Sequence, residues 1–119
     1  MARIIIVSCK RIRDVLCVSC LKCFKAAQER VGEFERYRNE PLDIVALGDC
    51  GDCPGLVMPK LTLVDSVAES MKREYDVVHL ATCIVKATTT AACPIDTVKL
   101  AKKIEKIFNK KVVIGTHPW

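Results

Sequence analysis

Arg3-Ile4-Ile5-Ile6-Val7-Ser8 is an unbroken β-branched run with no alternation of polar and apolar residues. Such a run suits a strand buried on both faces, which belongs to a parallel sheet covered by helices on either side. Three further runs can join it: Leu42-Asp43-Ile44-Val45-Ala46-Leu47, Asp76-Val77-Val78-His79-Leu80-Ala81, and Lys111-Val112-Val113-Ile114-Gly115. Helical spacings lie between them. Phe24, Ala27, Val31 and Phe34 make a first stripe, with Ser19 as its N-cap and Pro41 as its exit. Leu63, Val64, Val67, Ala68 and Met71 make a second, in a helix opening near Pro59. Val98, Ala101, Ile104 and Phe108 make a third, opened by Cys93-Pro94. This strand–helix alternation predicts an α/β fold with right-handed crossovers. The expected sheet has four parallel strands in the order 2-1-3-4 with helices on both faces, a shortened flavodoxin-like or Rossmann-like three-layer sandwich.

The chain has 119 residues, enough for one domain, expected to span 1–119, with a core that needs no crosslinks. Half of the residues are hydrophobic but only 5% are aromatic, so that core is aliphatic. Eight cysteines are many for this length. The apolar run after Met1 is too short for a signal-peptide core, and no stretch is long enough to span a membrane. A cytoplasmic, reducing setting is therefore expected, where such cysteines are metal-binding or redox-active more often than bridged. The net charge of +5 comes largely from lysines on the solvated face of the third helix, without interleaved aromatics. Nucleic acid is therefore not an expected partner, nor is a membrane; the expected partner is a metal ion.

The cysteines are not scattered. In an open parallel sheet, ligands bind outside the carboxyl ends of the strands, where helix N-termini also lie. Cys9, Cys50, Cys53 and Cys83 follow strand ends; Cys17, Cys20, Cys23 and Cys93 precede or open helices on that same edge. Helix N-termini favour thiolates, the form that binds metal or attacks an electrophile. Cys50 and Cys53 form a C-x-x-C pair in the Gly-rich loop Gly48–Gly55, a poor place for core packing. Cys9 and Cys83, from neighbouring strands, are the expected partners that complete a four-thiolate site. Cys17, Cys23 and Cys93 then support that site from behind or form another. Cys20 can face the core or the site. His79 lies about 13 Å from Cys83 along an extended chain and reads as a hydrogen-bonded core residue. His117, at the edge of strand four, is either a ligand or part of a surface tail.

Cys50-Gly51-Asp52-Cys53-Pro54-Gly55, taken with Val78-His79-Leu80-Ala81-Thr82-Cys83, Cys93-Pro94 and Gly115-Thr116-His117, resembles the CGGC-domain proteins. The resemblance runs over essentially the whole chain, including Cys9 and Cys23-Phe24. It implies a metal site, zinc before other metals, with no established activity. Carried over position by position, it involves Cys9, Cys17, Cys23, Cys50, Cys53, His79, Cys83, Cys93 and His117. The second central glycine of the family is Asp52 here. Aspartate tolerates a left-handed turn, and its charge raises the cost of gathering thiolates unless a cation is present.

Zinc held by cysteine thiolates is the leading expectation, with an iron–sulfur cluster as its alternative. Cys17-x-x-Cys20-x-x-Cys23 echoes the opening of a bacterial ferredoxin run but lacks its fourth cysteine four residues on. Thiol–disulfide chemistry at Cys50 and Cys53 is the rival function, although it leaves six cysteines unexplained. A phosphate-ester site at Cys9 would want an arginine six residues on, where Val15 stands. No glycine-rich phosphate fingerprint is present.

Overall fold

The computed structural model describes all residues except Leu16, Asp52–Pro54, Ala91–Ala92 and Trp119. Asp52 and Cys53, half of the central loop's chemistry, therefore lie outside the described residues. The sheet has four parallel strands in the order β2-β1-β3-β4: β1 (Ala2–Ser8), β2 (Leu42–Asp49), β3 (Val77–Leu80) and β4 (Lys111–Ile114). Ile4, Ile5 and Ile6 are completely buried although successive residues point to opposite faces. Both faces of β1 are thus covered, as its unbroken apolar run requires, and each isoleucine contributes on the order of 1.5–3 kcal/mol. The radius of gyration, 13.3 Å, agrees with the ~13.5 Å expected of a single compact domain of this length.

β2 differs from the fully buried strand that its sequence suggests. It lies at the sheet edge, pairs among the described residues with β1 alone and is half-buried along most of its length. Its register slips by one residue between Ile4↔Ile44 and Ile5↔Ala46. Among the described residues, five helices cover the sheet: α1 (Lys10–Val15), α2 (Leu21–Glu29), α3 (Val57–Ser70), α4 (Thr82–Thr90) and α5 (Thr97–Phe108). Two of them, α1 and α4, lie outside the three apolar stripes read from the sequence. In α4 the threonine run is helical, and each hydroxyl donates back along the helix. Thr88 bonds to the Val85 carbonyl, and Thr89 and Thr90 to that of Lys86.

Helix boundaries and stripes also need correction. The chain leaves α2 at Arg30, which takes a left-handed conformation, and runs through a 3-10 segment over Gly32–Tyr37. Val31 and Phe34 are therefore outside α2; Phe24 and Val31 are exposed, while Cys23, Ala26 and Ala27 face inward. Ser19 does not cap α2, since Ser19 and Cys20 both sit at positive φ (57° and 58°). In α3 the buried residues are Val57, Leu61 and Ala68. Leu63, Val67 and Met71 line an open groove of about 350 Å³ against the β2 edge. α5 begins at Thr97 instead of Pro94, because Asp96 caps it by accepting the Val98 and Lys99 amides at 3.1 Å each. Val98 is exposed; Ala101 and Ile104 are its buried anchors.

Candidate metal centre

β1, β2, β3 and β4 all end at one edge, and the described cysteines are carried by the segments that leave it. Cys9 follows β1, Cys50 follows β2, Cys83 is the second residue of α4, and Cys93 lies between α4 and α5. Cys17 precedes the 3-10 turn Val18–Cys20, Cys20 ends it, and Cys23 lies in the first turn of α2. All seven are free thiols, and every one but the half-buried Cys93 is buried.

The central loop is anchored at Cys50. Its amide donates to the Ser8 carbonyl at 2.9 Å, and its carbonyl accepts the Leu56 amide at 2.5 Å. Gly51 follows at φ +74°, where an added Cβ would stand 2.9 Å from that of Leu56, so the tight turn excludes a side chain. Asp49 organises the neighbourhood. It accepts the Gly51 amide at 2.7 Å and pairs with Arg13 at 3.3 Å and Lys60 at 3.4 Å, tying α1 and α3 to the loop. Burial alone would raise its carboxyl pKa; the Gly51 amide, Lys60 and Arg13 together outweigh that and hold it below its ordinary value.

The sulfurs differ in what they meet. Burial pushes the Cys9 thiol up and the nearby Cys50 and Cys93 thiols add to it, while the Ile12 and Arg11 amides at the start of α1 point at its sulfur and oppose the shift. The Cys9 amide in turn donates to Cys83 Sγ at 3.0 Å. Cys83 is pushed up to about 12 by burial, with Cys23, Cys9 and Cys17 as its sulfur neighbours. Cys23 is pushed up to about 11 by burial, and its sulfur lies 3.3 Å from the Thr116 hydroxyl. An amide can only donate, so the Cys83 and Cys9 sulfurs are acceptors there, a role that a thiol fills weakly and a thiolate strongly.

Cys20 is different. Burial raises its pKa, and Ser8 is its hydroxyl neighbour. The Ser8 proton, however, is already donated to the Gly48 carbonyl at 3.0 Å. With that bond kept, Ser8 can only accept from Cys20, which is then the S–H donor. As a neutral thiol Cys20 is thus a donor to Ser8, whereas its thiolate would be favoured by the Ser8 hydroxyl and by Arg13, which both act against the rise that burial causes.

The two histidines separate as cleanly. His79 is fully buried between Phe34 and Tyr37. Its Nδ1 meets the Gly115 carbonyl at 2.9 Å and so carries the proton; its Nε2 accepts from the Tyr37 hydroxyl at 2.7 Å. Both nitrogens are occupied, and burial, the largest effect, keeps the ring neutral by lowering its pKa. His79 is a core residue. His117 is also buried, not a surface tail. Its Nδ1 donates to the Pro118 carbonyl at 2.8 Å, and its Nε2 faces Cys17 Sγ at 3.9 Å. Two ligands of a tetrahedral zinc stand about 3.6 Å apart. A histidine whose second nitrogen is held by a carbonyl has the orientation usual for a metal ligand.

The segment carrying His117 is fixed from two sides. Thr82 Oγ1 donates to the His117 carbonyl at 2.7 Å and accepts the Thr116 amide at 2.9 Å; Thr116 Oγ1 accepts the Thr82 amide at 3.1 Å. The Glu33 amide donates to the Thr116 carbonyl at 2.8 Å. Gly32 makes this approach possible, since a Cβ there would stand 2.5 Å from the same carbonyl oxygen. Sequence reasoning missed Thr82 and Thr116 as site-builders, though each adjoins a candidate ligand.

Among the described residues, no three His, Cys, Asp or Glu side chains stand close enough together to hold a metal ion as they are. Cys50 lies within electrostatic reach of Cys9, and Cys17 beside His117, whereas the position of Cys53 is outside the described residues. The donor chemistry suits a soft or borderline metal, because every candidate ligand is a thiol or an imidazole nitrogen.

No helix among the described residues is long and apolar enough to cross a membrane. The chain is 30% identical to an uncharacterized protein of Methanocaldococcus jannaschii, over 97% of this chain and 86% of that protein. No solved structure matches it. The model of the CGGC domain, a candidate metal-binding family, matches residues 3–117, and the chain belongs to that family.

Proposed function

We propose that this protein binds a metal through cysteine thiolates at the carboxyl edge of its sheet, with zinc as the resident ion and an iron–sulfur cluster as the alternative. Cys50, Cys53, Cys9 and Cys93 are the proposed ligands around the central loop, and Cys17, Cys23, Cys83 and His117 extend the donor set along the same edge. The observation that carries this reading is the placing of main-chain amides against buried sulfurs, the Cys9 amide on Cys83 and the Ile12 and Arg11 amides on Cys9. Burial favours the neutral thiol at both residues; the amides offset part of the cost of the thiolate, and a bound cation would remove the remainder. Cys93 joins the proposed set because it, with Cys50, weighs on the Cys9 thiol.

Protein purified without oxygen should carry zinc, or iron with acid-labile sulfide, and the C50S/C53S variant should carry less. Wild-type protein with neither metal, and with all eight thiols open to a labelling reagent, would contradict the proposal. A reversible Cys50–Cys53 disulfide in metal-free protein would move the function to thiol–disulfide exchange.

A further inference from the structure

We propose that this protein pairs with a second copy of itself through the outer face of α3, the two helices crossing antiparallel about a two-fold axis at Val67. The pairing goes beyond the metal-binding reading above and does not rest on it.

On its solvent side α3 carries two rows at four-residue spacing. Pro59, Leu63, Val67 and Met71 form an apolar ridge, and Thr62, Ser66 and Ser70 run beside it. All seven are exposed, Leu63 and Met71 at 65% and Val67 at 56%. The three charged residues of the helix lie off these rows. Lys60 pairs with Asp49 at 3.4 Å and Asp65 accepts the Tyr75 hydroxyl at 2.6 Å. Glu69 stands two residues from Val67, on the other side of the helix. The hydroxyls of Thr62 and Ser70 are taken up within the helix, on the Met58 and Val67 carbonyls at 2.8 Å each. Covering the face therefore leaves neither of them without a partner. α5 is built differently: its outward side carries Lys99, Lys102, Lys103 and Lys106, as a solvated helix does.

The shape of the ridge favours a second copy as its partner. Rows at i±4 spacing pack into the matching grooves of another helix at about −50°, the commonest crossing. The ridge borders such a groove, about 350 Å³, formed with Val64 and Ala68 and with Val45 and Ala46 of β2. An antiparallel dyad at Val67 sets Leu63 of each copy on Met71 of the other, since both lie four residues from the axis. One patch thus complements itself. Charge agrees with this. Each copy carries +5, so two copies repel where lysine faces lysine, and the α3 ridge is an uncharged way in. Arg73, at the end of the groove, is already paired with Asp43 at 3.0 Å. β2 is a poor edge for strand pairing, because the register slip beside Val45 breaks its regularity. The helices, and not the strands, therefore make the contact. With 14 residues, α3 is about 21 Å long and about 10 Å wide. Together with the adjoining β2 edge, two such faces cover on the order of 1,000 Å², the low end for a specific interface. The dimer is accordingly weak and reversible, with a micromolar Kd.

The 119-residue chain, as purified and kept reduced, is followed by sedimentation equilibrium from ~1 µM to ~1 mM, a range that brackets micromolar association. Wild type should pass from 13.2 kDa to twice that mass as concentration rises. V67E should stay monomeric throughout. I107E alters a position on α5 that is equally exposed, at 56%, and should dimerise like wild type. L63K and M71E should each be monomeric alone, and their equimolar mixture should form a heterodimer in which the new lysine meets the new glutamate. Circular dichroism checks that each variant is folded. A wild type that stays monomeric at every concentration would leave the α3 face to a different partner and overturn the proposal. So would a V67E protein that dimerises like wild type, or a mixture of L63K and M71E that gives no heterodimer.

Discussion

Thr116→Val tests whether the frame beneath His117 is built as described. Thr116 is completely buried, and valine keeps its shape, so no cavity opens. The Thr116 hydroxyl accepts the amide of Thr82, the first residue of α4. That amide is one of the donors that a helix start leaves without an intrahelical partner. Its loss resembles the removal of an N-cap, ~1–2 kcal/mol. The sulfur of Cys23 also loses its hydroxyl neighbour, a weaker effect for a thiol. Thr82 keeps its bonds to the Thr116 amide and the His117 carbonyl, which the substitution does not touch. In a domain of this size each kcal/mol moves Tm by roughly 3–6 °C, so metal-free, reduced Thr116→Val should melt roughly 4–10 °C below wild type. Hydrogen exchange should speed up at the Thr82 amide and stay slow along β1. A melting point within about 1 °C of wild type, with Thr82 exchange unchanged, would refute the reasoning.

Two further substitutions probe the supports of the site. Replacing Tyr37 by Phe strands the buried Nε2 of His79 and should cost ~1–3 kcal/mol by denaturant unfolding. His79 also makes wild-type stability fall with acid: burial lowers its folded pKa below the ordinary 6.5, so below that pH the unfolded chain takes up a proton that the folded one resists. His79→Leu should flatten that slope, and an unchanged slope would assign it elsewhere. Asp49→Ala should cost ~1.5–3 kcal/mol at pH 7, because its carboxylate holds the Gly51 amide, Arg13 and Lys60. Its folded pKa lies below the ordinary 3.8, so the wild-type advantage is present above that value and is lost as pH falls through the folded pKa. Urea midpoints of both proteins across pH 2–7 check this, and a gap that widens in acid would contradict it.

The sheet was legible because its signal is local and strong. Ile4 to Val7 is a short β-branched run that suits a strand buried on both faces, and the other three runs fit beside it in the order 2-1-3-4. Helices without an apolar stripe were not legible. α1 is basic, and α4 is rich in threonine, so neither shows an apolar stripe of helical period. Apolar spacing also misassigned faces: Phe24, Val31, Leu63, Val67, Met71 and Val98 read as core but are exposed. In α2, the left-handed Arg30 ends the helix before the apparent stripe does.

At the site, the gathering of cysteines at one edge could be read from strand ends and helix starts. Which hydrogen-bond partners each thiol and imidazole meets could not. That depends on where the Cys9 amide points, on the Ser8–Gly48 bond beside Cys20, and on the Thr82–Thr116 crossing that holds His117 inward. Each is a long-range hydrogen bond between segments far apart in sequence. His79 was legible as a core residue because it sits within a buried strand, and its two bonds account for both ring nitrogens.

The most direct test of the central claim is the metal content and metal-edge X-ray absorption of protein purified under anaerobic, chelator-free conditions. The account predicts bound zinc, or iron with sulfide, whose nearest shell is dominated by sulfur, at about 2.3 Å for zinc. Protein that emerges metal-free and takes up neither zinc nor iron when offered them, or a metal surrounded only by oxygen and nitrogen, would contradict it.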